Sequence, residues 1–247
     1  MVEVISAIEQ RGAPAAANKT LKSIKTFLRW CVGRAILDQS PAEGVPLPAK
    51  EVARDRVLSD KELAQVVLAA RRMGGPYGGI VELLVLTGQR REEVARLKWE
   101  ELDLVGRIWT LPKSRTKNSK EHVVHLSEAS TGVLKRADKH GPFVFSVLGA
   151  GPFNQFSRAK RQLDQLSGVT GWRLHDLRRT CVSGMARLGI APHIADKILN
   201  HQSGTISGVA AVYQRHEFLT QRREALEWWG AHVADIVAFS GEVQRVA

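Results

Sequence analysis

The amino-acid sequence predicts a mainly α fold with a small antiparallel β-sheet, an α+β arrangement. Two observations carry that expectation. Apolar residues recur at the three-and-four spacing of amphipathic helices over most of the 247 residues. Paired-strand texture is concentrated between Leu104 and Leu126. A proline-rich break near the start separates a short first segment from a long second one.

In the first segment Leu21, Ile24, Phe27, Leu28, Cys31, Val32 and Ala35 follow helical spacing, while Lys19, Lys22, Lys25, Arg29 and Arg34 take other positions. One amphipathic helix with a basic face is expected there. From Ser40 to Pro48 the chain then carries Pro41, Gly44, Pro46 and Pro48, and prolines without an N–H donor stop regular structure. The spacing predicts a linker ending near Arg56.

Ser59-Asp60-Lys61-Glu62 has the form of a capping box ahead of Leu63, Val66 and Val67, so a helix opens there. The apolar run Ile80 to Leu86 stops at Gly88, and a short helical piece resumes through Val94 and Leu97, which puts Arg90 at a helix junction. Ile108–Leu111 and His122–Leu126 read as strands flanking a polar loop from Lys113 to Lys120, and Phe143–Phe145 reads as a further short strand. The segments 152–164, 174–188, 192–199 and 207–214 read as helices, with Pro192 suited to a first turn. Leu219, Leu226, Trp229, Val233 and Ile236 mark a last amphipathic helix, in which Trp228 and Trp229 read as packing residues. Its apolar stripe suits either docking on a neighbouring protomer or packing on its own core.

The chain holds 36 Lys and Arg against 25 Asp and Glu, a formal charge of +11, which favours a polyanionic partner and nucleic acid first. Charge alone decides little, since solvated Lys and Arg are common. Cys31 and Cys181 form no CxxC pair, so neither a disulfide framework nor a zinc ribbon is indicated. The pattern of a signal peptide and an 18-residue apolar run are both missing from the sequence, and the expectation is a soluble, cytoplasmic protein without a membrane partner. Without a GxxxxGK[ST] phosphate loop, chemistry independent of a nucleotide is expected. His122 and His125 fall on opposite faces of a strand, so they are expected to be strand residues and no metal or other cofactor is assigned.

The informative stretch is Trp172-Arg173-Leu174-His175-Asp176-Leu177-Arg178-Arg179-Thr180. His175 and Arg178 are three apart and share a face near a helix start, a face able to hold a phosphate. Alone, His-x-x-Arg is a weak signal. It is joined by Thr87-Gly88-Gln89-Arg90-Arg91-Glu92-Glu93, by Thr116-Lys117-Asn118 in the polar loop, by Leu199-Asn200-His201, and by Val212-Tyr213-Gln214-Arg215-His216.

With these motifs in this order the chain resembles the tyrosine recombinases, especially phage and genomic-island integrases. The resemblance covers Arg56 to the end. It implies that Arg90 is the first active-site arginine with Glu93 as its structural companion, that Lys117 is the hairpin lysine, that His175, Arg178 and His201 complete a phosphate site, and that Tyr213 is the nucleophile. It implies the family's fold and its partners: double-stranded DNA attachment sites, a homo-oligomer (a tetramer) on DNA, and a place with the nucleoid. Arg158, Lys160 and Arg161 are candidates for DNA backbone contacts.

The residue types suit the chemistry. A phosphodiester gains charge as an oxygen attacks phosphorus, and two guanidinium forks can each hold non-bridging oxygens with paired hydrogen bonds. A tyrosine hydroxyl, with an ordinary pKa of about 10, needs an acceptor or a positive field to attack at neutral pH. A lysine on a loop can protonate the departing 5' oxygen. His201 would donate to a phosphate oxygen and His175 would help move the tyrosine proton. The product is a 3'-phosphotyrosyl ester that conserves the energy of the broken bond.

Residues 1–50 then correspond to a partial helical core-binding segment and linker, and 56–247 to the catalytic domain. Family members place a complete helical domain ahead of this one, and only about fifty residues precede Arg56 here. Asn200 stands where many relatives carry Gly. The rival readings are a truncated DNA-binding regulator that does not cut, and a type IB topoisomerase-like enzyme.

Overall fold

The computed structural model describes residues 2–116, 118–147, 149, 151–201 and 216–246. The chain divides into two compact units, residues 1–55 and residues 56–247.

In the first unit α1 (Val2–Gln10) and α2 (Pro14–Gly33) pack through Ile5, Ala17 and Leu21, with Ile8, Ile24 and Val45 alongside. Pro14 suits the first turn of α2, where its missing N–H costs nothing. The linker is held by Asn18, whose amide donates to the Ala49 carbonyl at 2.8 Å and accepts from the Ala49 N–H at 3.0 Å. α2 starts seven residues before the helix expected from Leu21, and α1 is a further helix that the sequence reading does not include.

The second unit opens with α3 (Asp60–Met73), and its capping box is formed: Ser59 Oγ accepts from Glu62 N, and Glu62 Oε2 accepts from Ser59 N at 2.9 Å. The Arg56 guanidinium beside Glu62 brings that carboxyl down to about 2. α4 (Gly75–Thr87) is the centre of the unit. Every residue from Ile80 to Thr87 is buried, which is why its sequence is apolar without periodicity. Around it pack α3, α6 (Glu128–Lys135), α8 (Leu174–Arg187) and α10 (Leu219–Val246). α5 (Arg91–Ala95), α7 (Phe156–Ser167) and α9 (Pro192–Ile198) complete the described helices.

The apolar stripe of α10 lies in this unit's own core. Leu226, Trp229, Val233 and Val237 are buried, and the Trp229 indole donates to the Val85 carbonyl of α4 at 2.8 Å. Gly184 of α8 permits that approach, because a Cβ there would lie 2.1 Å from Trp229 Cζ3. The packing role expected of Trp228 is corrected. Neighbouring helical residues point about 100° apart, so with Trp229 turned inward Trp228 stays 58% exposed.

The sheet is three-stranded and antiparallel in the order β1 (Leu102–Asp103), β2 (Ile108–Leu111), β3 (His122–His125). Ile108 pairs with His125 and Leu111 with His122, while the two-residue β1 is too short to show an alternation in sequence. Phe143–Phe145 does not form the expected strand; Phe143 makes one isolated bridge to Lys98, and Val144 N donates to the Leu97 carbonyl. This segment also delays α7. Phe153 N donates to Phe145 O and Ser146 bridges Pro152, so extended backbone is committed there and the helix expected from 152 starts at Phe156. α6 was not expected; it follows β3 directly, capped by Ser127. The helix expected over 207–214 lies outside the described residues. Among the described residues no helix is long and apolar enough to cross a membrane.

Candidate active site

α4 ends at Gly88, whose φ of +64° and N–H bond to Leu84 O make the left-handed stop. Arg90 follows with extended backbone immediately before α5, at the junction expected. Glu93, one turn on and 5% exposed, holds it twice. Oε2 accepts from Arg90 N at 2.9 Å and Oε1 from Arg90 Nη1 at 2.9 Å. Arg115, itself ion-paired with Glu101, donates to the Glu93 carbonyl at 2.8 Å, which braces the same turn from the loop between β2 and β3. The Arg90 guanidinium is thereby aimed, and its Nη2 reaches Asn200 O at 3.5 Å.

At the start of α8, the fully buried Asp176 accepts from Arg173 N at 2.9 Å and from Arg179 Nη1 at 2.7 Å. The first turn also presents His175, and Arg178 follows one turn on. Arg178 is buried and bridges two helix ends, donating to Gly88 O at the close of α4 and to Leu199 O at the close of α9, both at 2.6 Å. Both acceptors are carbonyls that a helix leaves without an internal partner, and both carry the negative end of a helix dipole. A guanidinium has five N–H donors in a fixed fork, so holding two carbonyls orients it without exhausting it. Burial, and then the nearby Arg90, bring its pKa down to about 10, still charged at neutral pH.

The close of α9 is a cradle of carbonyls facing these side chains. Gln89 Nε2 donates to Ile198 O at 2.9 Å and to Thr87 O at 2.9 Å. His122 Nε2 meets the same Ile198 carbonyl at 3.0 Å, which makes it the protonated nitrogen. Arg178 takes Leu199 O and Arg90 approaches Asn200 O. Asn200 adopts φ +53°, the left-handed stop, and delivers His201. His201 N donates to Asp196 O, and its Nδ1 lies 3.3 Å from Asp196 Oδ1.

Burial, followed by the repulsion of neighbouring arginines, lowers the pKa of His175 and of His201; Arg178 and Arg90 act on both. Each imidazole is therefore held neutral at neutral pH, able to donate at one nitrogen and accept at the other. A cleft of about 790 Å³ opens beside the site, lined among others by Arg90, Arg115, Lys160, Arg173, His175 and Arg178 and also by Glu92 and Glu93. Lys160 is committed to Asp164 at 2.6 Å and stacks over Trp172.

Arg90, His175, Arg178 and His201, drawn from three stretches of sequence, are thus brought to one place. Lys117 and Tyr213 lie outside the described residues. The residues flanking Lys117 approach the site, since Asn118 Nδ2 donates to Asn200 Oδ1 at 2.6 Å. Gln89, His122 and Asn118 were not singled out as site residues by the sequence. His122 and His125 serve separate partners, Ile198 O and Glu227 Oε1, and among the described residues no group of three His, Cys, Asp or Glu side chains is placed to hold a metal.

The model of the phage integrase family matches residues 56–218, more than half of the chain. The chain belongs to the phage integrase family. Among its relatives, prophage integrase IntA of Escherichia coli (strain K12) is 24% identical over 257 aligned residues, which cover 98% of this chain and 60% of IntA. Tyrosine recombinase XerC of Lactobacillus delbrueckii subsp. bulgaricus is 24% identical over 78% of this chain and 70% of its own length. Among solved structures, lambda integrase (residues 75–356), as a dimer bound to a COC' core site, superimposes with a TM-score of 0.66 at 16% identity, covering 84% of this chain and 79% of that one. The fold is that of the tyrosine recombinase catalytic domain. This integrase-family chain spans about half to three fifths of the length of the prophage integrases it matches.

Proposed function

We propose that this chain is a site-specific DNA strand transferase, cleaving and rejoining DNA through a 3'-phosphotyrosyl intermediate. The convergence of Arg90 and Arg178 on the close of α9, beside His175 and His201, carries the reading. Two oriented guanidiniums and two neutral imidazoles suit a phosphodiester passing through a more highly charged transition state.

In this reading Tyr213 Oη attacks phosphorus and gives up its proton with the help of His175. Arg90 and Arg178 hold the non-bridging oxygens, and His201 donates to one of them. The P–O5' bond breaks as Lys117 protonates the departing oxygen. A 5' hydroxyl from another strand reverses the step, so no ATP is consumed. The substrates are double-stranded attachment sites, the working assembly is a homo-oligomer, a tetramer on DNA, and residues 1–50 are part of a core-binding segment.

The test is covalent trapping. Nicked duplexes from the ends of the native element, incubated without metal or ATP and then denatured, are expected to give a 3'-linked adduct with the wild-type chain and none with Tyr213→Phe. Binding without an adduct would favour a regulator that does not cut. Relaxation of a supercoiled plasmid without exchange of strands between duplexes would favour the type IB topoisomerase-like reading.

A further inference from the structure

Arg90, Gln89, His122 and Arg178 reach α9 through main-chain carbonyls. One further link runs between side chains. Asn118 Nδ2 donates to Asn200 Oδ1 at 2.6 Å, and in the reverse direction Asn200 Nδ2 lies 3.5 Å from Asn118 Oδ1, so the two amides meet face to face across 82 residues of sequence. Asn118 follows Lys117, and Asn200 precedes His201.

Each partner is itself anchored. Asn118 Oδ1 accepts from Lys120 N at 3.3 Å, and Thr116 Oγ1 donates to Lys120 O at 2.7 Å, so the loop is closed on both sides of position 117. Asn200 sits in the left-handed stop of α9 at φ +53°. Glycine meets that backbone demand with no side chain, so the conformation alone does not call for an amide. The amide is used toward Asn118.

We propose that the Asn118–Asn200 pair is a positioning link, setting the hairpin loop that carries Lys117 against the turn that carries His201, so that the proton donor and the histidine engage one phosphate together. The link rests on the strand-transfer reading given above. Neither asparagine touches the reacting atoms. Their effect is exerted through Lys117 and His201.

The test uses the full chain and the variants Asn118→Ala, Asn200→Gly and the double variant, with melting temperature as the folding control. Asn200→Gly relieves the left-handed backbone while deleting the amide, so it separates the link from the fold. Amide hydrogen exchange over residues 113–121 is expected to rise in Asn200→Gly; unchanged exchange overturns the link whatever the activity. On nicked duplexes each single variant is expected to cleave roughly tenfold more slowly, the change expected for one lost hydrogen bond, with DNA affinity unchanged and the double variant no slower than the slower single.

A duplex with sulfur in place of the scissile 5' oxygen identifies the function served. A thiolate leaves without needing a proton, so this substrate is expected to restore the variants and Lys117→Ala alike. Equal slowing on both substrates would overturn the positioning of Lys117. Absence of cleavage by the wild-type chain would instead sink the strand-transfer reading, and the exchange measurement would still decide whether the link exists.

Discussion

Arg178 donates to the carbonyl of Leu199 at 2.6 Å, two residues before His201. The contact joins α8 to the close of α9, while the other arm of the same guanidinium joins α8 to Gly88 at the close of α4. Position and charge are thus supplied by one side chain. A lysine can supply the charge but cannot span two carbonyls and a phosphate with one ammonium. Arg178→Lys is expected to slow covalent adduct formation about 10²–10³-fold, the loss typical of one removed oxyanion donor. DNA affinity should fall far less, since many phosphate contacts share it. Single-turnover trapping and fluorescence anisotropy on the same duplex separate the two; equal losses in both would mean that Arg178 acts in binding.

Glu93 acts on Arg90 at two points, capping its backbone N–H and pairing with its guanidinium. Glu93→Gln keeps an oxygen acceptor for one of these and loses the ionic bond, whereas Glu93→Ala loses both. Adduct formation is expected to fall in both variants and further in the alanine variant. Because Glu93 is buried and Arg90 only partly so, Glu93→Ala should also cost roughly 1–3 kcal/mol of stability. Urea denaturation beside single-turnover cleavage checks both. An alanine variant as active as wild type would show that Arg90 holds its position without this carboxylate.

Much of this site was legible because the chemistry lies in short motifs at helix ends. Gly88 and Asn200 are visible stops, and the charged residues beside them follow at fixed offsets. The supporting residues were less visible. Gln89 and His122 act through a carbonyl 109 and 76 residues away, and no local pattern marks such a partner. The sequence marks His122 as an ordinary strand residue, and the strand is where it sits; its buried bond to α9 is tertiary. In the fold, the type of the long periodic helices is legible, while the two-residue β1 and the eight-residue α6 are too short to show a period, and the start of α7 is set by the bridges that join 145–146 to 152–153. Trp228 shows the same limit, since composition cannot say which of two adjacent tryptophans faces inward.

Gly184 is a site where packing overrides helix propensity. Alanine in a helix interior is ordinarily favoured over glycine by about 1 kcal/mol. Here a Cβ would lie 2.1 Å from Trp229 Cζ3 and 2.6 Å from Cη2. Gly184→Ala is therefore expected to destabilise by about 1–3 kcal/mol, the usual cost of overpacking. In a Trp229→Phe background the smaller ring leaves room, so the cost of Gly184→Ala should shrink there. A double-mutant cycle by chemical denaturation tests this, and additive effects would show that α8 and α10 do not meet at this pair.

His122 gives the fold an acid sensitivity whose direction follows from its burial. Desolvation first, and then the repulsion of Arg222, bring its pKa from 6.5 down to about 4, against a smaller opposing effect of the Ile198 carbonyl. Between those values the unfolded chain binds a proton that the folded chain refuses. Stability fully present above pH 6.5 is therefore lost as the pH falls toward about 4, with a slope approaching about 1.4 kcal/mol per pH unit for this one group. His125, His175 and His201 are also lowered and act in the same direction, so the wild-type slope contains all four. His122→Gln isolates one of them, because a glutamine amide can donate to Ile198 O but does not titrate. The difference in unfolding free energy between wild type and His122→Gln, measured from pH 7 to 4, is expected to move steadily in favour of the variant as the pH falls. A constant difference would mean that His122 is not held neutral against the close of α9.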